Sequence, residues 1–152
     1  MKESKNKEVS VTKVNKKREK KQLEEVIIVE TEFHMDFYID INGYDHLHKY
    51  MEDEFDVDID MEPYKEASAI TFDLEAEHGV VGVICIGFRD WKSKSVTNRE
   101  ELISLLVHEA HHAVNMLLDN RGIPISREND EVGAYMEGHL VECLLEATGL
   151  VK

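Results

Sequence analysis

The residues best suited to chemistry form one short pattern, His-Glu-x-x-His, made by His108, Glu109 and His112. Apolar residues recur with helical period from a Thr-x-x-Glu capping sequence at residues 97–100 to Leu118, which predicts one long helix around the pattern. Residues four apart in sequence lie about 6 Å apart along a helix axis, so both imidazoles can converge on one metal ion. The spacing therefore predicts a metal site on this helix.

Glu109 lies at the edge of the histidine face on the helical wheel. Zn²⁺ lowers the pKa of the water that it activates toward about 7, and a neighbouring carboxylate can carry that proton to a leaving amine. Glu109 is therefore the predicted general base. His111 points about 100° away from His112, which assigns it to the rim of the site. A surface helix that carries histidines without binding a metal gives the same pattern, so a third ligand is needed.

A second predicted helix supplies the candidate third ligand, Glu131. This helix is predicted to begin at Ser126 or Asn129 and to end at Thr148 and Gly149. The Gly-Ile-Pro turn before it would fold the two helices into an antiparallel hairpin. Two histidines and one glutamate leave a coordination position open for water, which is the catalytic arrangement of zinc.

Tyr135 and His139 follow Glu131 by one and two helical turns. Either side chain could donate a hydrogen bond to an oxyanion on the metal, so both are candidate catalytic residues. The alternatives are an interface aromatic for Tyr135 and a surface or interhelical residue for His139.

These motifs together resemble the zincin metallopeptidases of the gluzincin type, in which a downstream glutamate completes the metal site. The resemblance covers about residues 100–146 and is particularly close to small metallopeptidases encoded by phages and prophages. It rests on His-Glu-Ala-His-His at residues 108–112, Gly-Ile-Pro-Ile at 122–125, Glu-Asn-Asp-Glu at 128–131 and Ala-Tyr at 134–135.

The resemblance implies a role for each matching residue. His108, His112 and Glu131 would bind one Zn²⁺, and Glu109 would be the general base. The strand before the helix, at residues 80–88, would border the cleft and pair with an extended peptide.

The elements that must position these residues predict an α+β domain. Residues 26–41 are rich in β-branched and aromatic side chains and predict one long or two short strands. Residues 45–55 predict a short helix, and residues 69–75 and 80–88 predict two strands joined by a turn at His78-Gly79. The predicted fold is a small, mostly antiparallel sheet packed on the helix hairpin that carries His-Glu-x-x-His, a minimal zincin-like domain.

The net charge of −14 is distributed unevenly along the chain. Residues 1–21 contain nine Lys or Arg and three acids, whereas residues 22–152 contain nine and 29. A basic, disordered arm is therefore predicted to precede one acidic domain of ordinary size. An acidic body repels a phosphate backbone, so nucleic acid is not expected as a partner except for weak binding through the arm.

The sequence predicts a cytoplasmic protein, in the host cell if it is phage-encoded. No apolar run reaches the length of a membrane span, and the basic start lacks the apolar stretch and cleavage site of a secretory signal. Cys85 and Cys143 are isolated in apolar surroundings, which predicts reduced core thiols.

Two functions fit these residues. The first is a Zn²⁺-dependent peptidase that hydrolyses a peptide or protein substrate with Glu109 as the base. The second is a zincin-like binding or inhibitor protein of phage origin that has no peptidase activity. Glu109 favours the first, because a structural metal site does not need a general base. Two histidines and a carboxylate also suit non-haem iron, but Glu109 has a role only in the hydrolytic chemistry.

Overall fold

A computed structural model of the protein describes residues 25–89 and 99–151. The predicted α+β class is confirmed, and residues 26–41 form two short strands. The elements of the described residues are β1 (Ile27–Val29), β2 (Asp36–Asp40), α1 (Tyr44–Phe55), a 3₁₀ turn (Glu62–Tyr64), β3 (Ala69–Asp73), α2 (Leu74–His78), β4 (Val83–Phe88), α3 (Arg99–Asn120) and α4 (Asp130–Ala147).

The strands form one mixed sheet in the order β1, β2, β4, β3. β1 pairs antiparallel with β2, and β3 pairs antiparallel with β4. β2 and β4 are parallel neighbours, with Tyr38 opposite Cys85. Two of the three strand pairs are antiparallel, as the sequence predicted, and one parallel pair makes the sheet mixed. α1 lies between β2 and β4 in sequence and provides the crossover that parallel strands require.

The connection between β3 and β4 is a short helix rather than the predicted simple turn. Asp73 caps this helix, because its Oδ1 accepts a hydrogen bond from the Ala76 backbone N–H at 2.9 Å. Glu75 and Glu77 lie in the first turn, where negative charge favours the helix. Gly79 ends the helix with a φ of 70°, a left-handed conformation that suits glycine.

Each face of the sheet carries a hydrophobic core. One core joins the sheet to α3 and α4 and includes Ile84 and Leu106. The other joins the opposite face to α1 and includes Leu47 and Phe72. Successive strand residues point to opposite faces, so β3 contributes to both cores, with Ala69 in the first and Phe72 in the second. Helix α3 is thereby held against the face of β3 that carries Ala69.

Polar contacts fix the C-terminal end of α3 to β3 and α2. Asn120 Nδ2 donates a hydrogen bond to Asp73 Oδ2 at 2.8 Å. Arg121 donates to both carboxylate oxygens of Glu75, at 2.7 and 3.1 Å, and also to two carbonyl oxygens in the connection between β1 and β2. These contacts fix the position of α3, and therefore of its histidines, relative to the sheet.

Both cysteines are free. Cys85 is fully buried in the core beside α1, and burial followed by the charge of Asp40 raises the pKa of its thiol to about 12. Cys143 packs against the other core and is partly buried. The prediction that Cys85 is a free thiol in the core is therefore confirmed.

The predicted basic arm at residues 1–21 lies outside the described residues, as do Thr97 and Asn98 of the predicted capping sequence. In residues 25–89 and 99–151, no helix combines the length and the apolar character needed to cross a membrane.

Candidate active site

Helix α3 presents the predicted site residues beside the sheet. His108 and His112 are exposed, whereas Glu109, at the border of the apolar stripe, is only 4% exposed. Val107 is 40% exposed and lies at the opposite border of that stripe. The residues that α3 buries against the sheet and α4 are Leu106, Ala110, Ala113, Val114, Leu117 and Leu118.

The imidazoles of His108 and His112 meet edge to face. Their Nε2 atoms lie 3.0 Å apart, and their ring centroids lie 4.6 Å apart. Two metal–nitrogen bonds of about 2.0–2.1 Å together span up to about 4 Å, so both Nε2 atoms can bind one ion. The geometry of the pair therefore fits a divalent metal such as Zn²⁺.

The carboxylate of Glu109 is held by the edge strand β3. Thr71 Oγ1 donates a hydrogen bond to Glu109 Oε2 at 2.5 Å. Burial is the main cause that raises the pKa of Tyr44 to about 12, and the negative charge of Glu109 is the second cause. The Tyr44 hydroxyl donates a hydrogen bond to the Ala67 carbonyl oxygen at 2.6 Å. Because Thr71 engages one carboxylate oxygen of Glu109, the other oxygen can serve a second partner such as water.

The structure does not bring Glu131, Tyr135 and His139 into this group. All three are exposed on α4, and Tyr135 is 76% exposed. Among the residues that the structure describes, no three His, Cys, Asp or Glu side chains are placed to hold a metal ion together. The histidine pair thus fits a metal by its geometry, whereas the complete three-ligand set stays a prediction.

The register between α3 and α4 explains why Glu131 is separate from the histidines. A Cβ added at Gly133 would lie 3.3 Å from the Leu118 side chain, so these two residues are in contact across the helices. Leu118 is six residues beyond His112, which is about 9 Å along the helix axis. Glu131 precedes Gly133 and therefore lies toward the C-terminal end of α3.

His111 is held at the boundary between α3 and α4. Its Nδ1 lies 3.2 Å from Glu137 Oε2 of α4, and its Nε2 lies 2.9 Å from the Asn115 side-chain amide. Both ring nitrogens of His111 are therefore engaged by protein groups. This contact fits the predicted position of His111 outside the metal-facing pair.

A cavity of about 310 Å³ opens beside the histidine pair. It straddles β3, because its wall includes residues that β3 points toward α3 and residues that β3 points toward α1. Its lining residues are Tyr64, Ala69, Ile70, Thr71, Phe72, Glu77, His108, Glu109, His112 and Met116.

The strand that borders this cavity is β3, which corrects the expectation that residues 80–88 would border it. β4 is an interior strand with β2 on one side and β3 on the other, so its backbone hydrogen-bonding groups are already used. In the sheet formed by the described residues, β3 is an edge strand that pairs with β4 alone. The strand order in this sheet differs from the order in sequence. Because β2 pairs with β4, β3 lies at the edge of the sheet.

Sequence reasoning missed three residues of this region: Thr71, Glu77 and Glu137. Thr71 and Glu77 come close to Glu109 and the histidines only through tertiary packing, and nothing local in their segments indicates this. Glu137 could have been predicted, because it lies on the same predicted helix as Glu131 and its carboxylate can pair with His111 on the neighbouring helix.

Comparison of the chain with protein-family models, with curated proteins and with solved structures gives no match. The resemblance to zincins therefore rests on the motif residues, and the site is interpreted from its own geometry.

Proposed function

We propose that this protein is a Zn²⁺-dependent peptidase with a minimal zincin-like arrangement, a small sheet packed on a helix hairpin. The observation that carries the proposal is the position of Glu109. Its buried carboxylate lines the same cavity as His108 and His112, whose Nε2 atoms are 3.0 Å apart. A carboxylate in that position has a function in hydrolysis and none in a purely structural metal site.

His108 and His112 would hold the ion, with Glu131 as the proposed third ligand. Zn²⁺, when bound, supplies a Lewis acid that polarises the scissile carbonyl and makes water more acidic. Glu109 accepts the proton of the attacking water and delivers it to the nitrogen of the leaving amine. Thr71 orients Glu109 by occupying one of its carboxylate oxygens.

The edge strand β3 supports a peptide as the substrate. An extended peptide can add to an exposed sheet edge through main-chain hydrogen bonds. Alternate side chains of such a peptide would point to the α3 side and to the α1 side of β3, and the cavity has walls on both sides. A peptide bound along β3 would therefore pass beside Glu109 and the histidines.

One observation favours the second function, a zincin-like binding or inhibitor protein. Glu131 and Tyr135 are exposed, and the described residues contain no complete three-ligand group. An exposed aromatic side chain on α4 also suits contact with a partner protein.

The deciding experiment compares the full-length wild type with Glu109→Gln. Both proteins are loaded with Zn²⁺, and their metal content and their cleavage of a peptide library are measured. We expect about one Zn²⁺ per chain in both proteins and a loss of cleavage of at least about 100-fold in Glu109→Gln. Cleavage that persists in Glu109→Gln would contradict its role as the base. Zn²⁺ binding without any cleavage by the wild type would favour the binding protein.

A further inference from the structure

One part of the cavity beside the histidines has a wall suited to a long aliphatic stem. Tyr64 and Phe72 pack edge to face there, with ring centroids 5.4 Å apart, and Ile70 and Met116 line the same cavity. Aromatic rings and aliphatic groups favour the methylene chains of Lys and Arg, and the ring faces also attract a cation.

A carboxylate lies in the same cavity. Glu77 is exposed on α2, and within residues 25–89 and 99–151 its side chain has no hydrogen bond or ion pair. Among the described residues, those that line the cavity include no Lys or Arg. The negative charge of Glu77 is therefore available to a ligand, unlike that of Glu75 on the same helix, which is paired with Arg121.

The described part of the chain also has an excess of negative charge. Residues 25–89 and 99–151 contain 27 Asp or Glu and six Lys or Arg. Such a surface attracts cationic ligands and repels anionic ones before contact is made. Bound Zn²⁺ would add positive charge only at the histidines. The acidic groups would therefore still attract a cationic part of the substrate that lies beside Glu77.

We propose that this cavity selects a Lys or Arg side chain of the bound peptide, with Glu77 as its ion-pair partner and Tyr64 and Phe72 against its stem. The substrate class of the proposed peptidase is then a basic peptide or protein segment. This inference rests on the proposed function for cleavage, but the binding preference can be measured without any cleavage.

The first experiment measures binding to full-length Glu109→Gln, which does not turn substrate over. The probes are fluorescent peptides of matched sequence in which Lys, Gln or Glu occupies each position in turn. At one or more positions we expect the Lys peptide to bind about two- to fivefold more tightly than the Gln peptide, and the Glu peptide to bind most weakly. The difference should shrink as salt is added.

Charge reversal at Glu77 provides the decisive comparison. In Glu77→Lys the order of the three peptides should reverse at the sensitive positions. Glu52→Lys is the matched control, because it makes the same change in net charge at an exposed residue of α1 that does not line the cavity. An order that survives in Glu77→Lys, or that changes equally in Glu52→Lys, would overturn the assignment of Glu77.

Cleavage by the Zn²⁺-loaded wild type separates this inference from the proposed function. Preferential binding of Lys peptides that depends on Glu77, without cleavage, would support the cationic pocket and contradict the peptidase. Cleavage with equal kcat/KM for Lys, Gln and Glu peptides would support the peptidase and overturn the cationic pocket.

Discussion

The hydroxyl of Thr71 lies 2.5 Å from Glu109 Oε2 and joins the edge strand β3 to the histidine-bearing helix α3. Residues 38 positions apart in sequence thereby share one hydrogen bond at the centre of the site. A hydrogen bond to a charged group contributes about 1.5–3 kcal/mol, so its loss should be measurable. Thr71 is the side chain that fixes the orientation of the proposed general base.

We predict that Thr71→Val lowers kcat about tenfold or more while KM and Zn²⁺ content stay close to those of the wild type. Val has nearly the shape of Thr but lacks the hydroxyl, so Glu109 would lose its donor. Thr71→Ser restores a hydroxyl and should recover most of the activity. A positioning role would be contradicted if Thr71→Ser were as impaired as Thr71→Val, or if Thr71→Val changed only the melting temperature.

Metal binding should depend on the histidine pair. We predict that His112→Ala loses stoichiometric Zn²⁺, because a single histidine on an exposed helix face binds the ion weakly. The measurement is metal content after dialysis, with the melting temperature as a check on folding. Wild-type protein without stoichiometric Zn²⁺ would contradict the proposed site.

The third ligand can be tested separately on α4. Glu131→Ala should weaken Zn²⁺ binding, whereas Glu137→Ala should not, because the Glu137 carboxylate contacts His111 instead. The two variants remove the same charge from the same helix, and affinity for Zn²⁺ is measured by competition with a chelator. Equal affinity in Glu131→Ala and the wild type would exclude Glu131 as a ligand.

The ion pair between Glu75 and Arg121 should make the free energy of unfolding depend on pH in the acidic range. The hydrogen bond from Arg121, followed by the one from the Gly82 backbone N–H, lowers the pKa of Glu75 below its ordinary value of 4.5. A carboxylate whose pKa is lowered by folding stabilises the protein above its unfolded pKa, and this stabilisation is lost as the pH falls through the folded pKa.

We therefore predict that Glu75→Gln lowers the free energy of unfolding by about 1–3 kcal/mol at neutral pH and that the loss diminishes below about pH 4. Glu62→Gln is the control, because Glu62 pairs with Lys65 on the surface and both side chains are more than half exposed. It should cost less than about 1 kcal/mol. Urea unfolding measures the free energy of unfolding of both variants. Equal losses of this free energy would show that the Arg121 contact stabilises the protein no more than a surface ion pair does.

Gly82 should be intolerant of a side chain. Its φ is 79°, and a Cβ there would lie 2.9 Å from the His34 carbonyl oxygen, closer than real contacts allow. Gly79 has a similar φ of 70° but open space around it, so Gly79→Ala measures the backbone cost alone. We predict that Gly82→Ala is less stable than Gly79→Ala by about 1–3 kcal/mol in thermal or urea unfolding. Similar stabilities would contradict the close approach to His34.

The parts of this fold that depend on local sequence were predictable. α3 and α4 follow from apolar periodicity, and their C-terminal ends follow from Asn120, Gly122 and Gly149. β1 and β2 follow from a run of β-branched and aromatic residues. Local patterns also placed His108, Glu109 and His112 on one helix, where the structure has them.

The parts that depend on distant contacts were not predictable. The parallel pairing of β2 with β4 has no local signal, and it decides that β3 is the edge strand. The hydrogen bond of Thr71 and the position of Glu77 follow from that arrangement. The register between α3 and α4 depends on the contact of Gly133 with Leu118, and this contact sets Glu131 apart from the histidines.

The open edge of β3 has a consequence for how copies of this chain behave toward each other. An edge that can receive a peptide can also receive the same strand of another molecule, which is how sheets grow into aggregates. The excess of acids over bases repels such an encounter, but only over a distance of about 10 Å at an ionic strength of 0.1 M. The protein should therefore stay dispersed in dilute buffer and begin to self-associate as salt is raised or as the acids are protonated.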